Sequence, residues 1–140
     1  MSIQQISVFL ENRPGTLNEM TRALADGGVN LRAISLAETK DFGIARLIAD
    51  DTYRAQEVLR GADFVSSLTP VLAYAIPDER GGLNKLLLSF TDAGINVEYM
   101  YSCLAEKSAY MIFRVADAET AEHELRERGL RALNQEELAL

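Results

Sequence analysis

The residues best suited to chemistry form a turn, a helix start and a second turn: Glu11-Asn12-Arg13-Pro14-Gly15-Thr16-Leu17, then Gly28-Val29-Asn30-Leu31. Asn12 and Asn30 each carry a donor and an acceptor, so the pair can hold an ammonium and a carboxylate without committing net charge. A glycine-rich turn that opens a helix presents backbone N–H groups to a carboxylate, reinforced by the positive end of the helix dipole. This chemistry fits a small zwitterion, with Leu10 nearby to meet its side chain. Asparagine also caps turns on its own account, and the bare residues leave that reading equally open.

Other chemistries find less support. RNA-binding sheets need aromatics on central strands and a basic surface. Ile44-Ala45-Arg46-Leu47-Ile48 offers no aromatic, and 21 acidic against 14 basic residues give a net charge of −7. That field repels nucleic acid and anionic membrane surfaces. The turns Asn12 to Thr16 and Asp78 to Gly82 hold no cysteine for a metal. Cys103 and His123, each the only one of its kind, do not assemble with a base and an orienting group into a nucleophile. They read as a small core or edge thiol and a solvated helical imidazole. Asp50-Asp51 and Glu136-Glu137 could hold a cation, but helix N-terminal charge and a solvated tail account for them. The expectation is therefore no catalytic residue, no metal and no cofactor.

A single cysteine allows no intrachain disulfide, which suits a reducing cytoplasm. Met1-Ser2-Ile3-Gln4-Gln5 lacks a basic n-region, and apolar runs such as Leu86-Leu87-Leu88 are far too short to span a bilayer. The expected location is cytoplasmic.

The elements that must position these residues occur twice. Asp26-Gly27-Gly28-Val29-Asn30-Leu31 returns as Asp92-Ala93-Gly94-Ile95-Asn96-Val97, an offset of 66 that also maps Gly15 onto Gly81 and Asp51 onto Asp117. No gap is needed between Glu11 and Arg60, so the chain holds two copies of one unit, residues 1–69 and 70–140. Either copy alone would bury only about 60% of its unfolded surface, which favours a shared interface.

Within a copy the periodicity changes in order. Ile6, Val8 and Leu10 alternate as a strand; Leu17, Met20, Thr21 and Leu24 make an amphipathic helix, with capping-box spacing at Thr16 and Glu19 and a stop at Gly27-Gly28. Strands over Asn30 to Ala37 and Gly43 to Ala49 follow, then a helix on Ala55, Val58 and Leu59, then a weak strand from Phe64 to Thr69. The second copy repeats the pattern through a helix around Ala121 to Arg128 and a last strand from Leu130 to Leu133. The order β-α-β-β-α-β predicts an α+β fold of two ferredoxin-like repeats, antiparallel sheets with helices on one face. Phe9, Ala73 and Ala75 fall on the helix-free face, which predicts that this face is covered. Tyr99 and Tyr101 replace Ala33 and Ser35; they could line a cleft, or pack core and dimer surface.

At the repeated turn the chain resembles the ACT domain family, the ferredoxin-like modules that sense amino acids in metabolic enzymes and regulators. The resemblance covers nearly the whole chain, and its length is similar to that of stand-alone tandem ACT proteins. The first copy looks most like the serine-sensing ACT domain of phosphoglycerate dehydrogenase, whose two ligand-holding asparagines fall on Asn12 and Asn30. A ligand-contacting histidine of that domain is replaced by Leu10, which implies a more apolar ligand side chain or a differently placed one.

In the second copy Asp78 stands for Asn12 and Arg80 for Pro14, while Gly81 and Asn96 are kept. The resemblance implies a non-catalytic regulatory protein binding a free amino acid at Leu10, Asn12, Arg13, Pro14, Gly15, Thr16, Leu17, Asn30 and Leu31. The second-copy counterparts, Asp78, Arg80, Gly81, Gly82, Asn96 and Tyr99, make a weaker site. A homodimer is expected, since open sheet edges tend to be covered, and a metabolic enzyme is a possible partner. The alternative is a ligand-independent interaction module docking on such an enzyme.

Overall fold

The computed structural model describes residues 3–104 and 109–139 of the 140; Met1 and Ser2, read above for a leader, lie outside them. Two compact units divide the chain, Gln4–Thr69 and Pro70–Leu138.

The first unit holds β1 (Ile3–Glu11), α1 (Thr16–Asp26), β2 (Leu31–Glu38), β3 (Phe42–Ala49) and α2 (Thr52–Gly61), and β4 (Val65–Ile76) begins in it. Both β1 and β2 pair antiparallel with β3, with Leu10 opposite Gly43 and Leu36 opposite Ala45. The inward residues of the strands, Ile6, Val8, Ala45 and Leu47, pack on Met20 and Leu24 of α1 and on Ala55 and Leu59 of α2. Both helices thus cover one face, because each carries its apolar residues as a single stripe.

The second unit continues with the rest of β4, α3 (Gly82–Asp92), β5 (Tyr99–Cys103), β6 (Ala109–Arg114), α4 (Ala118–Glu127) and α5 (Gln135–Ala139). Its strand pairing reproduces the first copy residue for residue. Ile6 opposite Leu47 becomes Leu72 opposite Phe113, and Ala33 opposite Ile48 becomes Tyr99 opposite Arg114.

The backbone punctuation is duplicated too. Gly15 and Gly81 open α1 and α3 with φ of 89° and 84°, a left-handed conformation costly to any residue with a Cβ. Gly28 and Gly94 close them: the Val29 N–H donates to the Leu24 carbonyl and the Ile95 N–H to that of Phe90, each at 2.9 Å. That six-to-one bond with a left-handed glycine is a Schellman stop. The second helices are capped by side chains instead, Asp51 accepting from the Arg54 N–H and Asp117 from that of Thr120.

Four expectations need correction. Thr16 and Glu19 do not form a capping box, because Thr16 is already helical and its hydroxyl donates to the Arg13 carbonyl at 3.2 Å. The weak strand before Pro70 and the strand after it are one strand, β4; an extended backbone accommodates proline's fixed φ and loses only a donor. Leu130 to Leu133 is not a strand, and its ladder reduces to the Leu133 N–H donating to the Ala73 carbonyl at 2.8 Å.

The tail beyond it is a short helix. The Asn134 side chain accepts from the Glu137 N–H at 2.9 Å while Glu137 accepts from the Asn134 N–H at 3.1 Å, a reciprocal capping box. Arg131 adds two bonds of 2.9 Å and holds the Glu137 carboxyl down to about 2. On the helix-free side Ala73 is fully buried, whereas Phe9 is 49% exposed and Ala75 is exposed. Within the chain the cover expected there is present over Ala73, while Phe9 and Ala75 are left open.

Candidate functional site

In the first copy, the end of β1, the start of α1 and the β2–β3 hairpin enclose a cleft of about 250 Å³. Its walls are Leu10 and Glu11 from β1, Asn12 and Arg13 from the turn, Leu17 from α1, and Leu36, Glu38 and Gly43 from the hairpin strands. Leucines supply an apolar floor and the rim carries both charges. Arg13 Nε donates to Glu11 at 2.8 Å, and a second guanidinium nitrogen lies 3.7 Å from Glu19. The Glu11 hydrogen bond, then the charges of Glu19 and Glu11, raise the Arg13 guanidinium above its ordinary value.

The helix start beside this cleft is built to be open. First-turn amides of a helix have no intrahelical acceptor, and no side chain caps α1. Its N-cap, Gly15, has nothing within 4 Å of where a Cβ would stand.

Asn12 ties the turn to the hairpin. Its side-chain nitrogen donates to the Thr39 and Lys40 carbonyls, both at 3.3 Å, and its backbone N–H donates to that of Asp41 at 3.1 Å. The amide's donors are thus engaged, while among the described residues no hydrogen bond reaches its carbonyl. Asn30 stands elsewhere. Its N–H donates to Asp50 Oδ1 at 3.0 Å at the far end of β2, and a strand of that length spans roughly 25 Å. Within one copy the two asparagines cannot touch the same small molecule.

The second copy has a cleft of about 340 Å³ at the other end of its sheet, where α3 stops and α4 starts. Asn96 and Glu98 line it with Ala93, Gly94 and Ile95, and Val115, Ala116, Asp117, Thr120, Ala121 and Glu124 close the far side. Asp117 is held below the usual carboxylate range, first by the Thr120 hydroxyl and then by the Thr120 N–H.

Comparison with known proteins supplies the family. A family described as the ACT domain pair matches residues 1–140. The chain belongs to it. Protein BT0572 from Bacteroides thetaiotaomicron has a crystal structure 34% identical in sequence, with a TM-score of 0.91, over 99% of this chain and 96% of that one. The ligand-free regulatory subunit of aspartate kinase from Thermus thermophilus is 19% identical over 89% of each chain, with a TM-score of 0.62. The corresponding subunit from Thermus flavus is also 19% identical, over 90% of each chain, with a TM-score of 0.61. At that identity the likeness is one of fold. No curated protein matches. ACT domains are typically regulatory modules that bind small ligands.

In this ACT pair the structure gathers Leu10, Asn12, Arg13 and Leu17 around one cleft. Pro14, Gly15 and Thr16 shape the turn beside it, and Asn30 and Leu31 stand apart. In the second copy Asn96 lines a cleft while Asp78, Arg80, Gly81 and Gly82 belong to the distant turn. A Cβ at Gly82 would run into the Pro77 carbonyl oxygen. Residues 105–107, which the offset places where Thr39, Lys40 and Asp41 stand, lie outside the described residues. Tyr99 stacks on Tyr101, with ring centroids 6.5 Å apart and planes at 16°, and neither lines the two clefts described above.

Sequence reasoning named Glu11 within the turn without giving it a role, and missed Leu36, Glu38 and Gly43. The signal was the strand register, since Gly43 opposes both Leu10 and Glu38. Cys103 is buried with its thiol toward the Leu104 carbonyl at 3.7 Å, and His123 sits on the surface of α4, 3.2 Å from Glu127. Both match the plain structural reading given to them.

Proposed function

We propose that this ACT pair, with modules at residues 1–69 and 70–140, is a non-catalytic cytoplasmic sensor of a small free amino acid, acting as a homodimer on a metabolic enzyme. One observation carries the reading. An apolar floor, an uncapped helix start and rim charges of both signs meet in a single first-copy cleft. The ligand carboxylate lies toward the α1 amides and Arg13, its ammonium toward Glu38 and the Asn12 carbonyl, and its side chain on Leu10, Leu17 and Leu36. Regulation follows if ligand prefers one arrangement of the protein, because only differential affinity can shift an equilibrium.

A calorimetric and thermal-shift screen of the amino acids tests it. A neutral, apolar amino acid should bind, and Asn12→Ala should weaken it about ten-fold, the equivalent of a lost hydrogen bond to a charged group. Light scattering should show at least twice the 15.5 kDa chain mass.

The engaged donors of Asn12 favour a second reading, an interaction module in which the turn is only structural. Exposed Leu36 and Phe42, 52% and 58% accessible, are compatible with docking. No heat from any amino acid, together with early unfolding of Asn12→Ala, would select this reading.

A further inference from the structure

The second-copy cleft has a counterpart in the first copy that the chain itself fills. There Arg54 reaches from α2, and its Nε donates to the Gly27 carbonyl at the end of α1, 3.1 Å away. Val58 packs so closely on Gly27 that a Cβ there would collide with it. The offset of 66 turns Arg54, Gly27 and Val58 into Thr120, Ala93 and Glu124. Thr120 directs its hydroxyl and amide to Asp117, at 2.7 and 3.1 Å, and among the described residues no side chain donates to the Ala93 carbonyl. An open cleft of about 340 Å³ therefore stands where the first copy seats a guanidinium.

The charged side chains lining it are all acidic, one of them, Asp117, capping the positive start of α4. Helix α3 ends here with its carbonyls and the negative end of its dipole, and its last turn holds no basic residue. Glu98, Asp117 and Glu124 line the cleft without a lining lysine or arginine, while Ile95, Val115 and Ala121 form an apolar wall. Arg114 lies 3.8 Å from Glu98 and also donates to the Val115 carbonyl at 2.6 Å, and Arg128 lies 3.3 Å from Glu124, so a bound cation shares these two carboxylates with them. A carboxylate is opposed here; a cation on an apolar stem is matched.

We infer that this cleft binds a small organic cation, a guanidinium or primary ammonium on an apolar stem, with its head where Arg54 sits in the first copy. The site lies in the other copy from the proposed amino-acid cleft and uses none of its residues, so either can fail without the other.

Titrating the full chain with agmatine, while following the backbone amides of Asn96, Thr120 and Glu124 by NMR, tests it. The expected result is saturable shifts at these residues, weakened about ten-fold by Glu124→Gln, the loss of one charged partner. Thr120→Arg, which installs the first copy's plug, should abolish them. Arg54→Thr should open the first copy and add shifts at Gly27 to Asn30, an arm that does not depend on how Thr120→Arg folds. Absence of shifts at millimolar agmatine would overturn the inference. So would equal shifts with 1-butanol, which has the stem without the charge, or shifts that survive in a folded Thr120→Arg protein.

Discussion

The two copies share a backbone plan and differ in what fills it. Val8, Leu24 and Leu47 make an aliphatic centre in the first, and the same positions hold Tyr74, Phe90 and Phe113 in the second. Phe90 lies 4.7 Å from Phe113 and meets Tyr74 nearly edge-on, at 5.9 Å and 84°. Register, helix bounds and the left-handed glycines flanking the first helix of each copy are unchanged beneath this exchange. Backbone conformation at the turns and strand pairing therefore set the fold, whereas the core accepts any well-packed apolar set of suitable volume. The clefts diverge for a related reason. Few constraints act on the surface where α1 or α3 ends, so Arg54 and Val58 can close it in one copy and Thr120 and Glu124 can open it in the other.

The largest effect that would sharpen this comparison is in the cores. Phe90→Ala should cost about 3 to 5 kcal/mol and Leu24→Ala about 2 to 5, from lost transfer energy plus the cavity left behind. Urea unfolding measures both. A smaller loss at Phe90 than at Leu24 would mean that the ring cluster collapses around the hole and contributes little beyond its volume.

Next come the helix starts. Gly15→Val and Gly81→Val should each cost roughly 1 to 2 kcal/mol, since a left-handed φ is strained for valine. A Cβ at Gly15 meets open space, so the strain is in the backbone alone. Calorimetry should show amino-acid binding lost only with Gly15→Val. Loss with Gly81→Val instead would transfer the site to the second copy.

The second helices should behave alike. Asp51→Ala removes an N-cap and should cost about 1 kcal/mol. Asp117→Ala should lose more, because Asp117 also accepts from the Thr120 hydroxyl at 2.7 Å. Asp117 is held below its ordinary value of 3.8 by Thr120, so its contribution is complete above that pH and disappears as pH falls through the lower folded value. The stability gap between wild type and Asp117→Asn should therefore narrow on acidification from pH 4; a gap constant with pH would contradict the cap.

The smallest effect concerns Tyr74, which stands where the first copy has Val8. Among the described residues its buried hydroxyl has no hydrogen-bond partner, and burial, then the charge of Glu122, pushes the phenol well above its ordinary value. Removing an unsatisfied buried donor is neutral or favourable. Tyr74→Phe should thus leave the melting temperature unchanged or higher, and a clear drop would reveal a partner for the hydroxyl.

The amino-acid sequence by itself determined the repeat, the β-α-β-β-α order within each copy and the helix stops. Each of these depends on neighbours within a few residues: the alternation of Ile6, Val8 and Leu10, the spacing of Leu17, Met20 and Leu24, and glycines at Gly15 and Gly28 where a side chain would be strained. The short helix at Gln135–Ala139 was legible in principle, since Asn134 and Glu137 have capping-box spacing. Only the tertiary structure decided which residues share a cleft. Asn12 and Asn30 look like one site because they flank a single helix, yet antiparallel pairing of β2 with β3 sends them to opposite ends and brings Leu36, Glu38 and Gly43 to Asn12 instead. A strand carries its two ends apart by about 3.3 Å per residue. Proximity across such a sheet is set by register, which short-range periodicity does not encode.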